Sequence, residues 1–185
     1  MNHFYETIQG WFQFHNIYLR AVQEAAQIGS HFVEVGAWKG KSTAFLAVEI
    51  ARSGKQIKFD VVDTWRGSQE TYHQADPMVV ADTLFEHFLQ NLEPVKQYFT
   101  PVRGYSTEVA KQYADCSLDL VMLDASHDYD NVLADIRAWY PKVKSGGILA
   151  GDDYQTDFMG VVNAVNESFP GCQIENGSWI VRKPE

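Results

Sequence analysis

Phe32-Val-Glu-Val-Gly-Ala-Trp-Lys-Gly-Lys-Ser-Thr43 reads as the end of a strand, a tight turn and the start of a helix. An apolar, partly β-branched run carries Glu34, Gly36 and Gly40 punctuate the turn, and a helical pattern begins near Ser42. In a doubly wound α/β sheet the first strand-to-helix crossing places ligands beyond the carboxyl ends of the strands, where the helix N-terminus offers unpaired N–H groups. Glycine spacing separates the cofactor classes that use such a turn. A dinucleotide fingerprint needs Gly-x-Gly-x-x-Gly, whereas this turn has only Gly36 and Gly40. A triphosphate loop needs one residue more between its first glycine and Gly-Lys-Ser than Gly36-Ala-Trp-Lys-Gly40 provides.

The pattern left is Glu-x-Gly-x-x-x-Gly, and on it the chain resembles the class I S-adenosylmethionine-dependent methyltransferases. The likeness runs from about Phe32 to the C-terminus and is nearest to the metal-dependent O-methyltransferases, both catechol-type and macrolide-sugar-type. The fold it implies is α/β and Rossmann-like: a mostly parallel seven-stranded sheet with helices on both faces and a C-terminal antiparallel hairpin.

Composition sets outer bounds. With 185 residues the chain has the length of one domain, and its net charge of −9 with no Lys/Arg cluster argues against nucleic acid as a partner. No apolar run approaches the roughly eighteen residues of a membrane span, and no basic, apolar leader is visible, so a cytoplasmic place is the default expectation. Cys116 and Cys172 form neither a disulfide framework nor a zinc pattern.

Along the chain, apolar spacing from Phe4 to Ile28 predicts an amphipathic helix or two, broken near Gly10, which with residues 1–30 makes a helical cap. The second strand spans Ile57 to Val62 and ends at Asp63. Residues 68–97 form an insertion: a loop over the site from Gln69 to Asp76, a helix start at Asp76-Pro77, and a helix from Thr83 to Leu92. Phe99 to Val102 is a third strand, Leu118 to Leu123 a fourth ending in Asp124. A helix follows that includes Ile136 to Val143, then a fifth strand from Ile148 to Ala150 ending in Gly151-Asp152-Asp153. A last helix over Phe158 to Phe169 leads to a hairpin at Asn176-Gly177.

The resemblance assigns roles to these positions. Gly36, Gly40 and Ser42 would hold the methionine end of the cofactor, Asp63 the ribose and Ser106 the adenine, with Glu34, Trp38, Thr64 and Asp124 also among the cofactor-binding residues. Trp65 either covers the adenine or is loop packing. Asp124, Asp152 and Asp153 would converge at the mouth of the crevice, where three carboxylates repel one another unless a cation lies between them; oxygen ligands suggest Mg²⁺ or another hard divalent ion. His127, three residues past Asp124, suits a general base, with Asp128 in reserve. A histidine stands at this place in the sugar-directed relatives and a lysine in the catechol enzyme. Ala125 departs from the catechol enzyme, and Asp153 replaces an amide there. The expected reaction is O-methyl transfer to a hydroxyl, one of a vicinal pair, on a sugar or small aromatic acceptor, free or on a glycan. The alternatives are a metal-independent or non-catalytic cofactor-binding domain and, more remotely, a P-loop-type nucleotide hydrolase. Oligomeric state is open, homo-oligomers included.

Overall fold

The computed structural model describes residues 1–185. In order the chain forms α1 (His15–Glu24), β1 (Ile28–Val35), α2 (Lys41–Ser53), β2 (Gln56–Asp63), α3 (Thr71–Gln74), α4 (Pro77–Val80), α5 (Leu84–Asn91), β3 (Thr100–Arg103) and α6 (Ser106–Ala110). It continues with β4 (Leu118–Leu123), α7 (Tyr129–Trp139), β5 (Val143–Gly151), α8 (Met159–Ser168), β6 (Gln173–Glu175) and β7 (Ser178–Arg182). The seven strands make one sheet in the order β3-β2-β1-β4-β5-β7-β6. The first five are mutually parallel, and β7 and β6 close the edge antiparallel.

Side-chain alternation divides the core into two layers. Phe32, Leu120 and Met122 face α1, α2 and α5 in one cluster. Val33, Val35, Val121 and Leu123 face α6, α7 and α8 in the other. Both faces of the parallel strands are thus covered, as an all-parallel core requires. No helix is long and apolar enough to cross a membrane.

Backbone bonding runs one residue beyond the strand ends and fixes the upper edge of the sheet. Gly36 N donates to Val62 O at 2.8 Å, Asp124 N to Val35 O at 2.8 Å, and Asp152 N to Leu123 O at 3.2 Å. These bonds align Gly36, Asp63, Asp124 and Asp152 along one lip.

Four local expectations need correction. Residues 4–14 are not helical beyond a single 3-10 turn at Tyr5–Thr7; their aromatic side chains gather around Phe45 of α2, so their spacing reflects packing on another helix. The cap also ends early, because Ile28 begins β1. Val143 opens β5 instead of closing α7, since Pro141 stops the helix and a register shift against β4 absorbs Gly146-Gly147. The loop expected over residues 69–76 contains the helical turn α3. Two other expectations match: Asp76 caps α4 by accepting from Met78 N at 2.9 Å, and Asn176 and Gly177 both have positive φ, as a two-residue hairpin turn needs.

Candidate cofactor cleft and metal centre

A cleft of about 780 Å³ opens over the carboxyl ends of β1, β2, β4 and β5. Its floor is the turn between β1 and α2. Gly36 has φ +90°, and a Cβ there would lie 2.0 Å from the backbone oxygen of Asp124, so only glycine lets β1 and β4 approach this closely. Gly40, at φ +94°, is the residue before α2.

Asp63 organises this turn. Its Oδ2 accepts from Ala37 N at 2.8 Å and Trp38 N at 3.0 Å, and its Oδ1 from Trp65 N at 2.7 Å. A carboxylate has about four acceptor positions, so roughly one remains for a ligand such as a ribose hydroxyl. Ser42, Thr64, Trp38 and Ser106 also line the cleft. The Trp38 indole stacks on His73 at 4.3 Å and donates to Gln9 Oε1 at 3.1 Å. The Ser106 hydroxyl accepts from Trp139 Nε1 at 2.8 Å.

Two expected cofactor residues lie elsewhere. Glu34 is fully buried beneath the turn, where it accepts from Tyr18 Oη at 2.7 Å and from Thr43 Oγ1. Burial raises its pKa despite the hydroxyls of Ser42, Thr43 and Tyr18, and its work is to join α1 and α2 to β1. Trp65 is only 1% exposed and packs on Phe85 and Phe88 of α5 at 4.6 and 4.8 Å. The amphipathic α5 needs an apolar partner, and Trp65 supplies it in place of covering an adenine.

At the other end of the cleft, Asp124, His127 and Asp153 offer ligand atoms within 4.8 Å of one another. His127 Nε2 lies 2.9 Å from Asp153 Oδ2, and Nδ1 lies 2.7 Å from Glu70 Oε1. Asp153 holds this position in a left-handed conformation, φ +60°, that costs a non-glycine residue strain. Asp152, expected as the third carboxylate, lines the cleft beside this set but is not part of it, and its Oδ1 accepts from Ser178 Oγ at 2.7 Å and Gln13 Nε2 at 3.1 Å. The clustered set is therefore two carboxylates and an imidazole.

The electrostatics are those of uncompensated negative charge. Burial first, then Asp152 and Asp153, pushes the Asp124 carboxyl well above the ordinary range. Burial likewise raises Asp152, against the Ser178 hydrogen bond. For His127 burial opposes the charge, but the bonds to Asp153 and Glu70 outweigh it and raise its pKa. A cation among these groups would relieve the repulsion, and the donor set suits a hard or borderline divalent ion. Asp128 is no reserve base: it is exposed and caps α7, accepting from Asn131 N at 3.0 Å and Ser126 Oγ at 2.7 Å.

Residues 33–154 match a family described as a methyltransferase domain. The chain belongs to that family. Among solved structures, the O-methyltransferase NovP superposes with a TM-score of 0.69 at 15% identity, covering 92% of this chain and 79% of NovP. The calicheamicin methyltransferase CalS11 superposes with a TM-score of 0.63 at 16% identity, covering 91% of this chain and 76% of CalS11. These likenesses establish the class I S-adenosylmethionine-dependent methyltransferase fold. A 121-residue stretch, 65% of the chain, is 23% identical to the uncharacterized protein y4gI of Sinorhizobium fredii (strain NBRC 101917 / NGR234), of which it spans 13%.

In this methyltransferase fold, three residues in or behind the cleft wall escaped sequence reasoning. Glu70, from the insertion, grips His127; Gln13, from the N-terminal segment, grips Asp152. Neither carries a motif, because each acts across a long loop. Asp135 of α7 carries no motif either, yet it is 7% exposed and lines the cleft. Its acidic type at an inward helical position was the available signal. Burial pushes its carboxyl up to about 6, with Ser106 alone favouring the charged form. Since the folded pKa exceeds the unfolded one, the stability from its protonated form is full below about pH 4 and is lost as pH rises through about 6.

Proposed function

We propose that the chain transfers the methyl group of S-adenosylmethionine to a hydroxyl oxygen with the help of a divalent cation. The acceptor we favour is a vicinal diol on a sugar or small aromatic ring. The observation that carries this reading is the Asp124, His127 and Asp153 cluster at one end of a cleft whose other end is the glycine turn. NovP, an O-methyltransferase, and CalS11, a TDP-rhamnose 3′-O-methyltransferase, share the fold at low identity; both support an oxygen acceptor, and CalS11 supports the sugar reading.

In this reading the N–H groups at the start of α2 receive the cofactor's carboxylate, and Asp63 accepts from its ribose. Asp124, Asp153 and His127 would hold the cation, Mg²⁺ or Mn²⁺. A bound divalent ion would acidify the acceptor hydroxyls and hold the pair so that one of the two oxygens faces the methyl group in line with the departing sulfur. Glu70 holds His127 at Nδ1 and so presents Nε2 to Asp153 Oδ2, 2.9 Å away; Nε2 would receive the acceptor's proton where a cation engages Asp153 in its place. Serving as ligand and taking the proton compete for the same Nε2 atom. Calorimetric cation binding to His127→Ala separates them: retained affinity with lost turnover assigns the proton to His127, and lost affinity makes it a ligand.

The test is transfer of an isotopically labelled methyl group to catechol and to cis-diol glycosides. Chelation by EDTA should lower the rate by about 100-fold, restored by Mg²⁺ or Mn²⁺. Transfer indifferent to EDTA would remove the cation from the account.

A further inference from the structure

The end of the cleft above β4 and β5 is walled by aromatic faces. Trp11 and Tyr72 meet edge to face with ring centroids 5.8 Å apart, and they stay 64% and 51% exposed where they line the cleft. Each is tethered over the Asp124, His127 and Asp153 cluster by a near neighbour in sequence. Gln13, two residues past Trp11, donates to Asp152 Oδ1 at 3.1 Å, and Glu70, two residues before Tyr72, bonds His127 Nδ1 at 2.7 Å. Phe158, whose ring centroid is 4.5 Å from that of His127, adds a third face. A ring whose oxygens reach the cluster therefore comes to lie beside Trp11 and Tyr72, and aromatic side chains kept out of the core are suited to cover its apolar face.

Charge narrows what that ring can carry. Asp124, Asp152 and Asp153 line this end and Glu70 stands behind His127; a divalent cation would offset two of those four negative charges. The lysine and arginine that border the cleft serve its other parts. Lys41 opens α2, the end given above to the cofactor's carboxylate, and Arg66 follows β2, two strands from β4 and so about 10 Å across the sheet. An anionic group brought to the cluster would meet like charge without a partner. We propose that Trp11 and Tyr72 form the acceptor platform and that the site takes an uncharged or amine-bearing ring, refusing acceptors that carry phosphate or carboxylate. A sugar on a neutral aglycone is thereby favoured over one held on a nucleoside diphosphate. The inference rests on the hydroxyl-acceptor reading above and deepens it by the charge class of the acceptor.

With S-adenosylhomocysteine and Mg²⁺ bound, calorimetry compares catechol, dopamine and 3,4-dihydroxybenzoate, which share one diol and differ in charge. Dopamine should bind at least as tightly as catechol, and 3,4-dihydroxybenzoate about 10-fold or more weakly than dopamine, a gap that added salt and Asp152→Asn should each narrow. Trp11→Ala and Tyr72→Ala, at exposed positions, should each weaken all three by about 3- to 10-fold and keep their order. Dihydroxybenzoate bound as tightly as dopamine overturns the charge rule, and alanine variants with wild-type affinities overturn the platform; both leave the methyltransferase reading intact. Binding of S-adenosylhomocysteine with no diol binding after it overturns the hydroxyl-acceptor reading as well, and failure to bind the thioether overturns the cofactor reading.

Discussion

Asp124→Ala is expected to lower cation-dependent methyl transfer by about 100- to 1,000-fold while leaving the protein folded and, in EDTA, more resistant to heat. The loss follows from position. Asp124 is the residue in the cluster that stands directly on the sheet, its backbone N bonded to Val35 O at 2.8 Å, and it faces both His127 and Asp153. The gain in stability follows from charge. Burial and the neighbouring Asp152 and Asp153 disfavour the Asp124 carboxylate, so removing it relieves repulsion that the metal-free protein must carry. Initial rates with Mg²⁺ and thermal melting in EDTA, run on the same preparation, check both halves. A variant with wild-type turnover would show that the cluster is not the reaction centre; one that melts lower would show that Asp124 is structural.

Gly36→Ala should be the most damaging single methyl group in the chain. The added Cβ would lie 2.0 Å from Asp124 O, 2.5 Å from Asp124 C and 2.8 Å from Ala125 Cα. All three are backbone atoms in or beside the sheet, so none can swing away, and the φ of +90° penalises a side chain independently. A cost above about 4 kcal/mol is expected, enough to unfold a marginal domain. Gly146→Ala is the matched control: its φ is +74° but nothing lies within 4 Å of the new Cβ, so only the backbone term of about 1–2 kcal/mol should appear. Urea unfolding of both variants measures the difference. Equal costs would mean that the approach of β1 to β4 is softer than the geometry indicates.

The sequence disclosed the fold wherever local chemistry was self-sufficient. The glycine spacing of the first turn, the acids ending β2 and β4, and Asn176-Gly177 each state their conformation within a few residues. Positions whose meaning depends on distant partners were opaque. Glu34 occupies a ligand-like place in the motif, but the side-chain alternation of β1 turns it onto the face covered by α1 and α2, where Tyr18 and Thr43 claim it. Trp65 follows Asp63 immediately, yet the demand of α5 for an apolar partner draws it into the core. Asp152 and Asp153 are adjacent and chemically identical, and one left-handed residue at Asp153 sends one into the cluster and the other to Ser178. His127 was visible as chemistry, but its clamp between Glu70 and Asp153 was not, because Glu70 comes from an insertion with no motif of its own.

Calorimetric titration with S-adenosylhomocysteine, beside ATP with Mg²⁺ and repeated on Asp63→Ala, bears on the whole account at once. The account predicts that the thioether binds, that ATP does not, and that Asp63→Ala weakens the thioether by about 10-fold or more, since the turn loses its anchor and the ribose its acceptor. Binding of ATP with no response to the thioether would contradict it, and would return the Gly36 to Ser42 turn to the phosphate-binding class that its spacing argued against.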